Sequence, residues 1–173
     1  MSTRGAADEL LEADVARLAV EDVLAAVCAP EASSGAGVAA ALALALAAAC
    51  ARKAIGVTLK RHAPGAADAA SLDALEQQLL VQQHRAVAHA RRDALLFKAW
   101  LDTKEPRQAQ HLVDSARHFQ ALVNDMGDAV GQLRERVAGV VAGDVEAAAA
   151  LHGAVARISA DLLHEARGER NRA

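Results

Sequence analysis

The sequence SSGAGV at residues 33–38, followed directly by the apolar run at residues 39–50, decides the fold. Glycine lets a backbone approach a neighbouring group closely, and the alanines and leucines that follow favour a helix. Because the run has no polar face, this helix must be covered on nearly all sides. We therefore predict a buried helix over about residues 37–60, entered through a glycine-rich turn.

The composition of the 173-residue chain indicates a single all-α domain. Alanine makes up more than a quarter of the residues, and no sustained alternation of apolar and polar residues indicates strands. Apolar stripes at helical spacing predict a bundle of five to six helices, including a long one over about residues 71–103 and one that begins near Pro106. We assign residues 1–166 to this domain and expect the charged segment 167–173 to be a frayed, disordered tail.

Charge and aromatic content argue against nucleic acid as a partner. The net charge is −3 and aromatic residues make up only 2% of the chain, so neither a basic surface nor a base-stacking platform is expected.

The uncharged run at residues 37–51 is shorter than the roughly 20 residues that span a bilayer, which favours a core helix over a membrane helix. The absence of a signal-peptide pattern and two widely spaced cysteines predict a cytoplasmic protein. A chain of this size cannot cover such an apolar helix alone, which predicts a homodimer.

The glycine-rich turn has two interpretations. The unpaired N–H groups and partial positive charge of a helix N-terminus suit an anionic or carbonyl-bearing ligand. The alternative is a capped helix entry, with Ser33 or Ser34 as N-cap.

Asp93 also has two interpretations. A short acid at the edge of an apolar stripe is energetically costly unless it is paired or hydrogen-bonded. It is either a functional carboxylate or a structural one that pairs with an arginine or caps a helix.

Other polar clusters give weaker evidence of a functional site. His111, Asp114 and His118 share a helix face but lack a further ligand, so no metal site is predicted. Three basic residues of the long helix are candidates either for contacts with ligand carboxylates or for a solvated face, namely Arg91, Arg92 and Lys98.

The order of the motifs resembles the cyclodeaminase/cyclohydrolase family, which includes formimidoyltetrahydrofolate cyclodeaminase domains and bacterial methenyltetrahydrofolate cyclohydrolases. The family turn reads approximately PGGGSAAA, and SGAGVAAA at residues 34–41 matches it except at the proline, the middle glycine and the serine. The family's D-x-x-A-F signature on a long helix is matched in part by DALLF at residues 93–97. A late acidic turn before an Ala-rich helix is matched by Gly143 and Asp144. The resemblance extends over nearly the whole chain.

This resemblance implies an enzyme of one-carbon metabolism that takes a tetrahydrofolate derivative as substrate and needs no other cofactor. The expected reaction is hydrolysis of the methenyl bridge of 5,10-methenyltetrahydrofolate, or a related cyclodeaminase reaction. Both reactions need a positioned acid or base, a role that we assign to Asp93 as catalytic residue. We assign substrate binding to Ser34, Gly35, Gly37 and Asp144. The alternative is a non-catalytic helical dimer that binds a small ligand or a protein partner.

Overall fold

A computed structural model describes residues 20–28, 35–61, 68–134, 136–137 and 139–172. These residues form five α-helices and one short 3-10 helix, and no strand occurs among them. The all-α prediction is thereby confirmed. The elements in chain order are α1 (Val20–Val27), α2 (Gly35–Leu59), α3 (Ala69–Thr103), α4 (Pro106–Gly131), the 3-10 helix Gly139–Val141, and α5 (Ala142–Arg172).

Four of the helices form a closed bundle. Helix α2 packs on α3, α3 on α4, α4 on α5, and α5 returns to α2, while α2 and α4 barely touch across the diagonal. Helix α1 lies against α2 outside the bundle. The side chains that fill the centre are apolar, and each contributes about 1.5–3 kcal/mol by leaving water. The largest of them are Phe119, Leu44, Ile55, Leu72, Leu79 and Met126.

Helix α2 is the buried helix that the apolar run predicts. Its buried residues recur on several faces from Gly37 to Thr58, because α3, α5 and α1 surround it. Its alanines leave little side-chain bulk and so let the neighbouring helices approach closely. The described residues leave one stripe of α2 uncovered, and there Leu46 is 59% exposed.

The length of α2 does not distinguish it from a membrane helix. The uncharged run at residues 37–51, on which the sequence-based expectation rests, is shorter than the helix itself. Two helical segments are long and apolar enough to cross a bilayer, Gly35–Leu59 and Gly139–Asn171. In the first, 56% of the most apolar stretch is buried inside the bundle, against 22% in the second. The packing of α2 against three other helices, rather than its length, is what favours a core helix.

The bounds of α5 correct two expectations. Asp144 lies inside the first turn of this helix and not in a turn before it, since the helix begins at Ala142. The segment expected to be a frayed tail is helical through Arg172. Its carboxyl-terminal turns join the bundle, where Leu163 and Ala166 pack in an apolar cluster with Trp100.

The connection between α3 and α4 is tight and well defined. Lys104 ends α3 in the left-handed backbone region, with a φ of 54°, and its N–H donates to the Trp100 carbonyl at 2.7 Å. Pro106 then occupies the first turn of α4, as the sequence predicts, because a proline there forfeits no helical hydrogen bond. The turn brings the end of α3 and the start of α4 together beside Trp100.

Gly127 on α4 makes room for His152 on α5. An added Cβ at Gly127 would lie 2.8 Å from two atoms of the His152 ring, whose Nε2–H donates to the Val123 carbonyl at 2.9 Å. We expect Gly127→Ala to lower the free energy of unfolding by about 1–2 kcal/mol, because displacing the ring breaks this hydrogen bond and the local helix packing. Chemical denaturation measures the change.

Gly131 on the same helix supplies the matched control. A Cβ there meets nothing within 4 Å, so Gly131→Ala should leave stability unchanged or raise it by up to about 1 kcal/mol through helix propensity. Equal effects of the two substitutions would contradict the role of the Gly127–His152 contact.

Candidate functional site

A cavity of about 360 Å³ opens at the end of the bundle where α2 begins. All four bundle helices line it, and its volume is within the range of about 300–1,000 Å³ that is usual for small-molecule sites. Residues 35–37 of α2 form one wall, and Asp93, Phe97 and Trp100 of α3 form another. The rest of the lining comes from α4 and α5, with Leu112, Ala116, Leu162, Glu165, Ala166 and Glu169.

The first turn of α2 presents backbone rather than side chains to this cavity. Its N–H groups have no partner within the helix and carry a partial positive charge of about half a unit. Gly35 is not required by steric crowding, since an added Cβ would lie an ordinary 3.4 Å from the Val27 carbonyl oxygen. A glycine here instead keeps the wall free of side-chain bulk, while Gly37, two positions further on, is buried.

Acidic side chains dominate the charge of the cavity. Asp93 and Glu169 are half-buried and Glu165 is exposed, and the described part of the lining contains no lysine, arginine or histidine. Asp93 and Glu169 each also interact with other groups of the protein. Three carboxylates outweigh the half unit of positive charge at the α2 N-terminus. The cavity is therefore suited to a ligand with a cationic group near the acids and a carbonyl near the helix N-terminus.

Trp100 is a rigid wall with an unsatisfied donor. Its side chain is 8% exposed, and its Nε1–H is buried without an acceptor among the described residues. The Lys104 Nζ lies 3.3 Å from the ring centroid, and Phe97 packs against the indole with ring centroids 5.8 Å apart. A buried donor without an acceptor is uncommon in folded proteins, and protein atoms cover this N–H so that it does not face the open cavity.

The structure brings together three of the five predicted site residues. Gly35, Gly37 and Asp93 line the same cavity although more than fifty residues of sequence separate the glycines from the acid. Ser34 lies outside the described residues, so its predicted role is untested.

Asp144 is not part of this cavity. Its Oδ1 accepts from the Lys53 Nζ at 2.8 Å, an ion pair that joins the amino-terminal turn of α5 to α2. Leu162, the first α5 residue to line the cavity, lies eighteen residues further along the helix, which is about 27 Å at 1.5 Å per residue. This ion pair raises the pKa of Lys53, chiefly through the hydrogen bond to Asp144.

Sequence reasoning missed the two glutamates of the cavity. Glu165 and Glu169 were assigned to the end of the domain and to the tail, where charged residues usually mark a solvated segment. Their spacing from Leu162, at i+3 and i+7, places all three on one helix face and is the signal that could have identified them.

The histidine cluster of α4 has ordinary local partners. The Nδ1 of His118 lies 2.6 Å from the Asp114 carbonyl oxygen, and the Asp114 carboxylate accepts from Arg117 at 3.2 Å and from Gln110 at 2.9 Å. Within the residues that the structure describes, no three His, Cys, Asp or Glu side chains are placed to hold a metal ion.

Comparisons of this chain with protein-family models, with curated proteins and with solved structures give no match. Its function is therefore argued from the cavity and from the sequence motifs.

Proposed function

We propose that the cavity at the α2 N-terminus binds a methenyl-bridged tetrahydrofolate and hydrolyses its bridge, with Asp93 as the catalytic base. The observation that carries the proposal is the meeting of Gly35, Gly37 and Asp93 in one acid-lined cavity. These are the residues that the resemblance to the cyclodeaminase/cyclohydrolase family assigns to substrate and chemistry.

The charge of the cavity agrees with the charge of the proposed substrate. The methenyl bridge is an N–CH=N⁺ amidinium, and Asp93, Glu165 and Glu169 supply negative charge beside it. The ring carbonyl of the substrate can accept hydrogen bonds from the first turn of α2.

The reaction needs only water and a proton acceptor. The oxygen of a water molecule bonds to the amidinium carbon while the Asp93 carboxylate accepts the water proton. In the resulting neutral adduct, the bond from this carbon to one nitrogen breaks, that nitrogen gains a proton, and the hydroxyl loses one to become a formyl group. The proton held by Asp93 passes to solvent, so the reaction releases one proton per turnover.

Trp100 provides a direct test of binding because it is the one tryptophan of the chain and lines the cavity. Addition of 5,10-methenyltetrahydrofolate should change its fluorescence saturably, and calorimetry should give the Kd. The double substitution Glu165→Gln and Glu169→Gln should weaken binding roughly tenfold, since two charge contacts are lost. Binding of 10-formyltetrahydrofolate, in which the bridge is open and the amidinium charge is absent, should change much less.

Glu146→Gln is the matched control. Glu146 is also on α5, but it is exposed at the other end of the helix and pairs with Arg134 at 3.0 Å. Glu146→Gln should leave the affinities for 5,10-methenyltetrahydrofolate and for 10-formyltetrahydrofolate unchanged. Equal weakening of the cationic and neutral ligands by the double substitution would contradict the charge argument.

We also propose that the protein assembles as a homodimer through the uncovered face of α1 and α2. An apolar cavity of about 440 Å³ lies between these helices, and three large side chains beside it are exposed, namely Val20 at 74%, Leu24 at 58% and Leu46 at 59%. Apolar patches of this kind are typical of association surfaces. A second copy would bury the stripe of α2 that the single chain leaves open.

Leu46→Glu should therefore shift the protein from dimer to monomer in light scattering, because it places a charge at the centre of the proposed interface. Val140→Glu is the control, since Val140 is 63% exposed but lies outside this face. A wild-type monomer at micromolar concentration, with helix content intact by circular dichroism, would rule the dimer out.

A further inference from the structure

A second cavity, of about 410 Å³, lies in the groove between α3 and α4. Neither α2 nor α5 contributes to its described lining, so it is separate from the acid-lined cavity. Its lining is predominantly basic, and the titratable side chains that face it are Arg85, His89 and Arg92 from α3 and His118 and Asp125 from α4.

The two arginines lie on one face of α3. Arg85 and Arg92 are seven residues apart, two helical turns, and both are exposed at the cavity. Neither forms an ion pair with any carboxylate in the part of the chain that the structure describes, Asp125 included. Two other basic residues of α3 do not line this cavity. Lys98 pairs with Asp102, and Arg91 is exposed outside the cavity.

His89 forms the floor between them. Its side chain is nine-tenths buried and stacks flat on Phe119, with ring centroids 4.4 Å apart and an interplanar angle of 3°. Neither ring nitrogen has a hydrogen-bond partner among the described residues. Burial, Arg92 and His118 lower the pKa of His89 to about 4, so the ring is neutral at pH 7 and keeps one N–H donor.

His118 completes the groove from the side of α4. Its Nδ1–H donates to the Asp114 carbonyl at 2.6 Å, so Nε2 carries no proton in this tautomer and does not donate to an oxyanion. The charges that face the cavity are two arginines against the single carboxylate of Asp125. The net charge of the lining is therefore positive. The planar guanidinium groups can also form paired hydrogen bonds with a carboxylate or phosphate.

We propose that this groove binds a small oxyanion, the phosphate or carboxylate group of a metabolite, held by Arg85 and Arg92 and by the N–H of His89. The guanidinium groups supply the charge, and the imidazole, stacked on Phe119, supplies an N–H donor. The site does not depend on the chemistry proposed for the acid-lined cavity.

The test is a titration with inorganic phosphate and, separately, with succinate at constant ionic strength, followed by NMR of the imidazole signals of His89. We expect a saturable shift at millimolar concentration or below for at least one of the two. Tighter binding of phosphate assigns the site to phosphate groups, and tighter binding of succinate assigns it to carboxylates. A bound anion should also raise the pKa of His89 from about 4, because it offsets the charge of Arg92.

The double substitution Arg85→Gln and Arg92→Gln should weaken binding at least tenfold, while Arg91→Gln, which removes one positive charge from the same helix outside the cavity, should not. All three side chains are exposed, so the variants should keep their helix content. The proposal is overturned if neither anion gives a saturable shift, or if Arg91→Gln weakens binding as much as the double substitution.

Discussion

Asp93→Asn should lower the turnover of 5,10-methenyltetrahydrofolate by about 10²-fold or more, the usual contribution of a general base. The amide has the shape of the carboxylate but cannot accept the proton of the attacking water. Asp93 lines the cavity together with the first turn of α2, so an asparagine at this position keeps its place in the wall of the proposed substrate site. We expect kcat to fall while KM changes little, as measured by steady-state kinetics.

A structural role for Asp93 predicts a different result. Asp93 interacts with other groups of the protein, so removing its charge can also affect folding. In that case Asp93→Asn lowers the Tm, and the folded fraction keeps wild-type turnover. Asp125→Asn is the matched control, because Asp125 lies in the other cavity and its substitution should leave turnover unchanged. Wild-type turnover in a folded Asp93→Asn protein would remove this residue from the mechanism.

Acid should destabilise the fold through His89. Its pKa is about 4 in the folded protein and about 6.5 when unfolded, because burial, Arg92 and His118 disfavour the charged ring. Between these values the unfolded chain binds more protons, so the free energy of unfolding falls as the pH drops from about 6.5 to about 4. Below pH 4 this contribution is fully lost. The total loss is roughly 3 kcal/mol, since each pKa unit corresponds to 1.36 kcal/mol.

His89→Phe should remove this part of the pH dependence, whatever it does to stability at pH 7, because phenylalanine can stack on Phe119 but cannot take up a proton. The measurement is urea denaturation at a series of pH values. His84→Gln serves as control, since His84 is exposed on the same helix and its loss should leave the slope unchanged. An unaltered slope in His89→Phe would show that other groups cause the acid sensitivity.

The helices were predictable because their signals are local. The run after Gly37 has no polar face, and Pro106 marks the start of α4. Such patterns depend only on neighbouring residues and on helical spacing. The resemblance to a family also selected Gly35, Gly37 and Asp93, which the bundle brings to one cavity.

The rest of the site depends on contacts that the sequence does not display. Asp144 lies in the first turn of an Ala-rich helix, but it pairs with Lys53 of α2 at the end of α5 that is far from the cavity. Glu165 and Glu169 are charged residues near a terminus, and only the packing of α5 against α4 shows that they face a cavity. Ion pairs between distant residues and the extent of a terminal helix are set by tertiary packing.

The proposed hydrolysis of a methenyl bridge in the acid-lined cavity is tested by following the absorbance of 5,10-methenyltetrahydrofolate with and without the purified wild-type protein. We expect the protein to accelerate the loss of the substrate in proportion to the protein concentration, and we expect Asp93→Asn to abolish most of this acceleration. Saturable binding, seen in the Trp100 fluorescence, without any acceleration of substrate loss would contradict the proposed enzymatic activity. It would indicate a non-catalytic ligand-binding protein instead.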